Sequence, residues 1–369
     1  MKKKQPVLSI ILPTYNEKEN IRPLIEKLTK TLRSRELEIL VVDDDSPDGT
    51  ADLVRELAHS YKHLRLIRRV GRAGLASAIK EGLLDATGDL AVVMDCDGQH
   101  DPETIERALV RLQSDNLDLV IGSRFHLNAT ISGLSQNREA GSSIANRIAR
   151  ISLPKDYAQL TDYMTGFFAI RINSKALSTI RGVEVNGFKF LYELLSISRG
   201  RLKTGEVPLN FQERASGESK LDISILWDFM VSALHTLCLR ILPRRAISFG
   251  LVGISGVAVQ VSTTFLLMEI FRLNFKTALP VAVISASCSN YLINNALTFR
   301  FNRLKNGALF RGLFKFLVVS SLPVIANVGL ATTFYAHISS NTLLAQLIGI
   351  LVAFVWNYAA SSKFVWNTP

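Results

Sequence analysis

Three carboxylates, an amide and an imidazole crowd into "DCDGQHD", residues 95 to 101, directly behind the apolar run 90–94. Asp95 and Asp97 stand at i and i+2, with Gln99 two further on, so their oxygens can converge on one point at a strand's end. Hard oxygen ligands of this kind suit Mg2+ or Mn2+, which completes its shell with phosphate oxygens. The pattern reads as a metal–diphosphate clamp made by Asp95, Asp97 and Gln99. Asp101, before Pro102, suits a cap on the helix that follows. D-x-D is common on its own, so its setting has to carry the assignment.

That setting is an alternation of strand and helix signals. "VLSIILPTY", "LEILVVDDDSPDGT", "LRLIRR", "LAVVMDCD" and "LDLVIGSRF" read as strands. "EKENIRPLIEKLTKTLRS", "ADLVRELAHSY", "LASAIKEGLLDATG" and "DPETIERALVRLQS" read as the helices between them. The order predicts an α/β fold with a doubly wound, mainly parallel sheet, whose ligands sit beyond the carboxyl ends of the strands. "PTYNE" (13–17), "DDDSPDGT" (43–50) and "DCDGQ" (95–99) all fall there. The first turn lacks GxGxxG, which argues against a nicotinamide enzyme, and no Walker A motif supports an ATP-driven transporter. "GRAG" (71–74) fits a plain turn before a helix beginning near Leu75 as well as it fits a phosphate loop.

Composition points to a second kind of burial. The 369 residues are 48% hydrophobic with a net charge of +11, more apolar than a soluble domain of this size requires. Residues 247–369 hold eight Lys/Arg and one acid, Glu269, whereas the first 246 hold 35 basic and 31 acidic side chains. A nearly balanced segment is thus followed by an apolar, basic one. Cys96, Cys238 and Cys288 are scattered and odd in number. That argues against a disulfide scaffold or zinc site and fits a reducing compartment.

Four apolar runs, 247–268, 277–299, 316–336 and 343–360, each approach the roughly 20 residues that span a bilayer as a helix. Gln260, Asn290, Asn294, Asn295, Asn327, Gln346 and Asn357 lie inside them, where amides bond across helices. The loop between the second and third runs carries Arg300, Arg303, Lys305, Arg311 and Lys315, which puts it in the cytosol, and four crossings then put both termini there. "SFGLVGIS" (248–255) and "LFKFLVVS" (313–320) open helix pairs that close on "NALTFRF" and "SSKFVW", a sign of duplication. On these motifs the segment resembles the GtrA-like family of four-helix membrane domains. Before it, residues 221–245 repeat apolar side chains at helical spacing but include Asp228, His235 and Arg240. They read as amphipathic helices lying in the interface, ended by Pro243, with a soluble core helix as the alternative. The expected domains are therefore 1–220, 221–246 and 247–369.

"PTYNE", "VVDDDSPDGT", "GLASA", "DCDGQ", "GSR" (122–124), "DYMTGFFAIR" (162–171), "GFKFLYELL" (187–195) and "EVPLNFQERASGESKL" (206–221) follow one another in a telling order. It resembles that of the family 2 glycosyltransferases with the GT-A fold, above all the polyprenyl (dolichol) phosphate mannose synthases. The resemblance implies that Pro13, Tyr15 and Glu17 wall a nucleoside, that Val42 and Asp44 meet base and ribose, that Asp95, Asp97 and Gln99 hold the metal, and that Asp95 and Cys96 also belong to the substrate-binding residues. It further implies that Arg124, Arg214 and Lys220 face diphosphate and acceptor phosphate, and that Arg138 and Ser142 match an acceptor-phosphate pair. The family usually has a second basic residue after that arginine, and this chain has Glu139. Arg138 therefore stays open between an acceptor contact and a surface charge. Cys96 and Gly98 stand where Ala and Leu are more usual.

What the resemblance implies chemically is an inverting transfer of mannose from GDP-mannose to a polyprenyl phosphate at a bilayer surface, with Mg2+ or Mn2+ bound and Asp97, Arg124 and Arg138 as catalytic residues. UDP-glucose is the alternative donor. A membrane carrier with a nucleotide-sensing domain would be expected to display buried ionisable residues in its helices, and a scaffold would not need metal ligands. Nucleic acid is not an expected partner.

Overall fold

The computed structural model describes residues 7–71, 74–130, 136–184, 189–211, 223–321, 351, 352 and 354–367, with backbone alone at 136–140, 223–225, 275, 276 and 279. Two compact units divide the chain, Met1–Leu237 and Cys238–Pro369.

The first unit alternates as its sequence predicts. β1 (Leu8–Thr14), α1 (Lys18–Thr31), β2 (Leu37–Asp43), α2 (Thr50–Ser60), β3 (Leu64–Arg68), α3 (Leu75–Asp85), β4 (Leu90–Val93), α4 (Glu103–Ser114) and β5 (Leu119–Ser123) come first. α5 (Gln136–Ser152), β6 (Phe168–Arg171), α6 (Ser174–Gly182), α7 (Phe190–Ser198), β7 (Thr204–Pro208) and α8 (Ile223–Leu237) complete it. The strands form one sheet in the order β3-β2-β1-β4-β6-β5-β7. Every pairing is parallel except those of β6, which runs antiparallel to β4 and β5. β1 and β4 are buried at every residue, as strands covered on both faces must be. Ile21, Leu24, Ile25 and Leu28 of α1, and Ile105, Ala108, Leu109 and Leu112 of α4, recur at helical spacing and cover one face with α2. α3, α5, α6 and α7 cover the other.

Register sets where ligands can go. Thr14 pairs with Asp43 and Ile11 with Val93, so β1, β2 and β4 end at a common edge. After β1 the chain builds outward to β3 and then returns to lay β4 on the other side of β1, which opens a crevice at the carboxyl ends.

α8 differs from the expected interface helix. Phe229 is 3% exposed and packs edge-on to Tyr192, while Thr236 bonds to the hydroxyls of Tyr192 and Ser196 at 3.2 and 2.9 Å. The first compact unit includes α8 and runs to Leu237.

In the second unit α9 (Arg244–Glu269) follows Pro243, whose fixed φ suits the approach to a helix. α10 (Phe275–Ile293) is capped by Asn274, whose side chain accepts the Thr277 N–H at 3.0 Å. A π-turn, Asn294–Thr298, prolongs α10, and a second, Ser361–Val365, ends the chain's last helical stretch. These turns fall on the two motifs that mark the internal repeat. The aromatics just beyond them, Phe299 and Trp366, stack with centroids 4.1 Å apart. Among the described residues only α9 is long and apolar enough to cross a membrane, with hydropathy 1.8. The basic segment expected to be a loop is partly helical, because residues 307–321 form a helix that carries Arg311 and Lys315. Most of the third and fourth apolar runs lie outside the described residues.

Candidate active site

Each of β1, β2 and β4 leaves the sheet through a polar turn, and the turns after β1 and β2 are stapled together. The Asn16 N–H donates to Ser46 Oγ at 3.0 Å, the Glu17 N–H to Thr50 Oγ1 at 3.1 Å, and the Lys18 N–H to Asp48 Oδ2 at 3.1 Å. Asp43 in turn accepts the Ser46 N–H at 2.9 Å. The Ser, Asp and Thr of "DDDSPDGT" thus satisfy the backbone of "PTYNE", a job their short oxygen-bearing side chains suit.

Above the turns lies a cavity of about 690 Å³. Pro13, Tyr15 and Glu17 line it from β1, Asp44 and Asp45 from β2, Gly71 and Gly74 from the turn before α3, and Asp95, Cys96 and Asp97 from β4. Tyr15 is 60% exposed at its rim. Asp44 is held by an ion pair to the buried Arg69 and by the Gly74 N–H at 2.6 Å. Burial raises its pKa against the pull of those two partners. Gly74 adopts φ +125°, which an L side chain rarely does. Cys96 is 2% exposed and burial pushes its thiol well up, so it is a neutral wall rather than a nucleophile. Val42 departs from expectation: it is fully buried in the core beneath α3, and its side chain is no part of the cavity lining.

The cationic side is built from residues far apart in sequence. Arg124 follows β5, and Asp162 grips its guanidinium with bonds of 2.7 Å from Nε and 2.9 Å from Nη2. Nη2 also reaches Ser142 Oγ at 3.2 Å, so the structure unites two of the residues singled out above. Burial opposes the Arg124 charge, but Asp162 more than offsets it and the pKa rises. Glu206 of β7 holds the Asp162 loop by accepting the Thr161 and Asp162 N–H groups. Lys189, at the start of α7, also lines the cavity. Burial lowers its pKa, opposed by Asp95 and reinforced by Arg124.

Arg138 lies on α5, four residues before Ser142 and so on the same helix face, with only its backbone described. Arg214 and Lys220 lie outside the described residues. The Gln99 backbone N–H donates to Asp97 Oδ1 at 3.0 Å. Asp101 Oδ1 accepts the Glu103 N–H at 3.3 Å, the helix-start role expected of it. Sequence reasoning missed Lys189, Asp162, His100 and Gly166. Their only signal was membership of "GFKF", "DYMTGFF" and "DCDGQH", where spacing assigns them no task.

Comparison with known proteins agrees with this architecture. Residues 9–175 match the family described as Glycosyl transferase family 2, and residues 248–366 match the family described as GtrA/DPMS, transmembrane domain. A dolichol-phosphate mannosyltransferase of Pyrococcus furiosus is 32% identical over 363 residues, 98% of this chain and 99% of that one. The Saccharomyces cerevisiae dolichol-phosphate mannosyltransferase is 34% identical over 230 residues, 60% of this chain and 84% of its own. With a family 2 glycosyltransferase domain, a GtrA/DPMS transmembrane domain and a relative matched end to end, this chain belongs to the dolichol-phosphate mannosyltransferase family of family 2 glycosyltransferases.

Proposed function

We propose that the protein transfers mannose from GDP-mannose to a polyprenyl phosphate and releases GDP, giving a β-linked polyprenyl-phosphate mannose. One observation supports this most. Two carboxylates and a half-buried lysine, Asp95, Asp97 and Lys189, line one cavity. A transfer between two phosphates needs such a pairing of a cation site with fixed positive charge.

Among the described residues no three His, Cys, Asp or Glu gather to hold a metal by themselves. Asp95, Asp97 and Gln99 would hold a hard divalent cation, Mg2+ or Mn2+, to which their oxygens are suited. When bound, the cation neutralises charge that develops on the departing diphosphate. Pro13, Tyr15, Glu17 and Asp44 would hold the nucleoside. Arg124, its fork fixed by Asp162, would orient the acceptor phosphate with Ser142 and Arg138, and Arg214 and Lys220 would add charge from beyond β7. An acceptor oxygen forms the new bond to the anomeric carbon while the bond to diphosphate breaks, its electron pair leaving with GDP. A phosphate monoester is already an oxyanion near neutral pH, so no general base is required. Single displacement converts an α-linked donor into a β-linked product.

The catalytic unit and both termini are assigned to the cytosol on the strength of Arg300, Arg303 and Lys305 between the second and third apolar runs. The decisive experiment gives the purified full chain a short polyprenyl phosphate, Mn2+ and either GDP-mannose or UDP-glucose. Turnover with GDP-mannose that stops in excess EDTA is expected. Preference for UDP-glucose would replace the donor, and activity unaffected by EDTA would remove the metal.

A further inference from the structure

The loop from Asp95 to His100 closes on itself. The Asp95 backbone N–H donates to His100 Nδ1 at 3.0 Å, and Gly98 turns the chain between them with φ 80°. Because Nδ1 accepts, the neutral ring carries its proton on Nε2, which lies 3.9 Å from Asp95 Oδ2. His100 is 3% exposed and stands edge-on to Phe167 and Phe211, at 5.9 and 6.0 Å between centroids. Its backbone also pairs with that of Phe211 in an isolated bridge. The Asp95 carboxylate also packs against Gly166 so closely that any Cβ there would overlap it.

A buried imidazole among aromatic rings could be there to fill space. An apolar ring would fill it without the cost of desolvating two nitrogens, and the bond from the Asp95 N–H gives the acceptor nitrogen a specific use. We propose that His100 is a positioning residue for the Asp95–Gln99 loop, its Nδ1 holding the Asp95 backbone so that the carboxylate, backed by Gly166, stays aimed into the cavity. The proposal rests on the reading of Asp95 and Asp97 as ligands of a divalent cation. Residues that orient such ligands change metal affinity about 10–100-fold when removed.

Two substitutions separate bracing from filling. His100→Phe keeps a ring between Phe167 and Phe211 and removes the acceptor. His100→Asn removes the ring and keeps an acceptor oxygen at the δ position. Mn2+ is titrated into the full-length protein in detergent, with and without GDP, reading free Mn2+ by electron paramagnetic resonance, and the metal-free protein is melted in parallel. The expected result is Mn2+ affinity weakened about tenfold or more in His100→Phe and within about threefold of wild type in His100→Asn. The melt should fall more in the Asn variant, which has lost the ring. The opposite ranking, or full affinity in both, overturns the proposal. Should His100→Phe fail to fold, His100→Leu takes its place as the variant without an acceptor: a tenfold loss of Mn2+ affinity there supports the brace, and full affinity overturns it. Asp97→Ala separates the two possible failures. If it binds Mn2+ normally the cation reading itself is wrong, and if it loses Mn2+ while both His100 variants keep it, only the role of His100 is.

Discussion

The two units treat their apolar side chains differently. In the first, Leu8, Ile10, Ile11, Leu12, Val92 and Val93 are fully buried, and the polar residues collect at strand ends. In the second, α9 turns Ile254, Val257, Val261 and Phe265 outward at 61–70% exposure. Asn294, Asn295, Ser248, Thr298 and Ser361 are inside. Asn295 alone makes three bonds: Oδ1 accepts the Leu304 N–H at 2.8 Å and Trp366 Nε1–H at 3.1 Å, and Nδ2 donates to the Leu304 carbonyl at 3.1 Å. Lipid tails are as apolar as leucine, so hydrophobic burial cannot draw helices together there, and polar and aromatic contacts do so instead. The first unit thus has an apolar core that leaves Asp95 and Asp97 at the strand ends for chemistry, whereas buried amides such as Asn295 help to hold the second.

The sharpest test is to remove one polar side chain from each unit. Asp97→Ala should lower turnover on the order of 10³-fold, by loss of charge stabilisation, while the thermal melt of the full chain stays near wild type. A collapse of the melt would make Asp97 structural and blur the distinction. Next in size, Asp162→Asn should reduce kcat/KM for the acceptor about 10–100-fold, since a charge-assisted bond to Arg124 contributes roughly 1.5–3 kcal/mol. Its KM for the nucleotide sugar should move much less, and equal changes in both would place Arg124 on the donor instead. Asn295→Leu should do the reverse of Asp97→Ala. Leaving Leu304 and Trp366 polar groups without partners should cost about 2 kcal/mol of stability in detergent, with Mn2+-dependent GDP binding retained. An unchanged melt would contradict the claim that amides hold the second unit.

The smallest effect sharpens the contrast from the water side. Arg35 grips Glu106 with two bonds of 2.7 Å, and that contact, opposed by burial, holds the Glu106 carboxyl below its usual range. A glutamate with a depressed folded pKa adds stability above its unfolded pKa, and that contribution is lost as pH falls through the folded value. Glu106→Gln should therefore destabilise by about 0.5 kcal/mol at pH 7, and the difference from wild type should vanish in melts taken in acid. A penalty as large as that of Asn295→Leu would show that solvent does not set the scale.

Legibility followed the same division. Strand and helix order and the polar clusters at the strand ends could be read because hydrophobic period and turn chemistry are local. Val42 and Asp44 are paired by the resemblance alone; the strand ends at Asp43, so Val42 is buried beneath α3 while Asp44 lines the cavity. The amphipathic pattern of 221–245 was plain in sequence, but lipid and the Tyr192–Ser196 surface would both satisfy it.

By itself the sequence determined which segments are strands, helices and apolar runs, and where oxygen-rich turns interrupt them. Those follow from interactions within a few residues. Only tertiary structure decided that antiparallel β6 lies between β4 and β5, that Asp162 grips Arg124 from 38 residues away, and that His100 braces against Phe167 and Phe211. No local preference distinguishes these partners from other residues of the same type. Pairings at such separations are selected by the packing of the whole sheet and its helices, which a linear pattern does not contain.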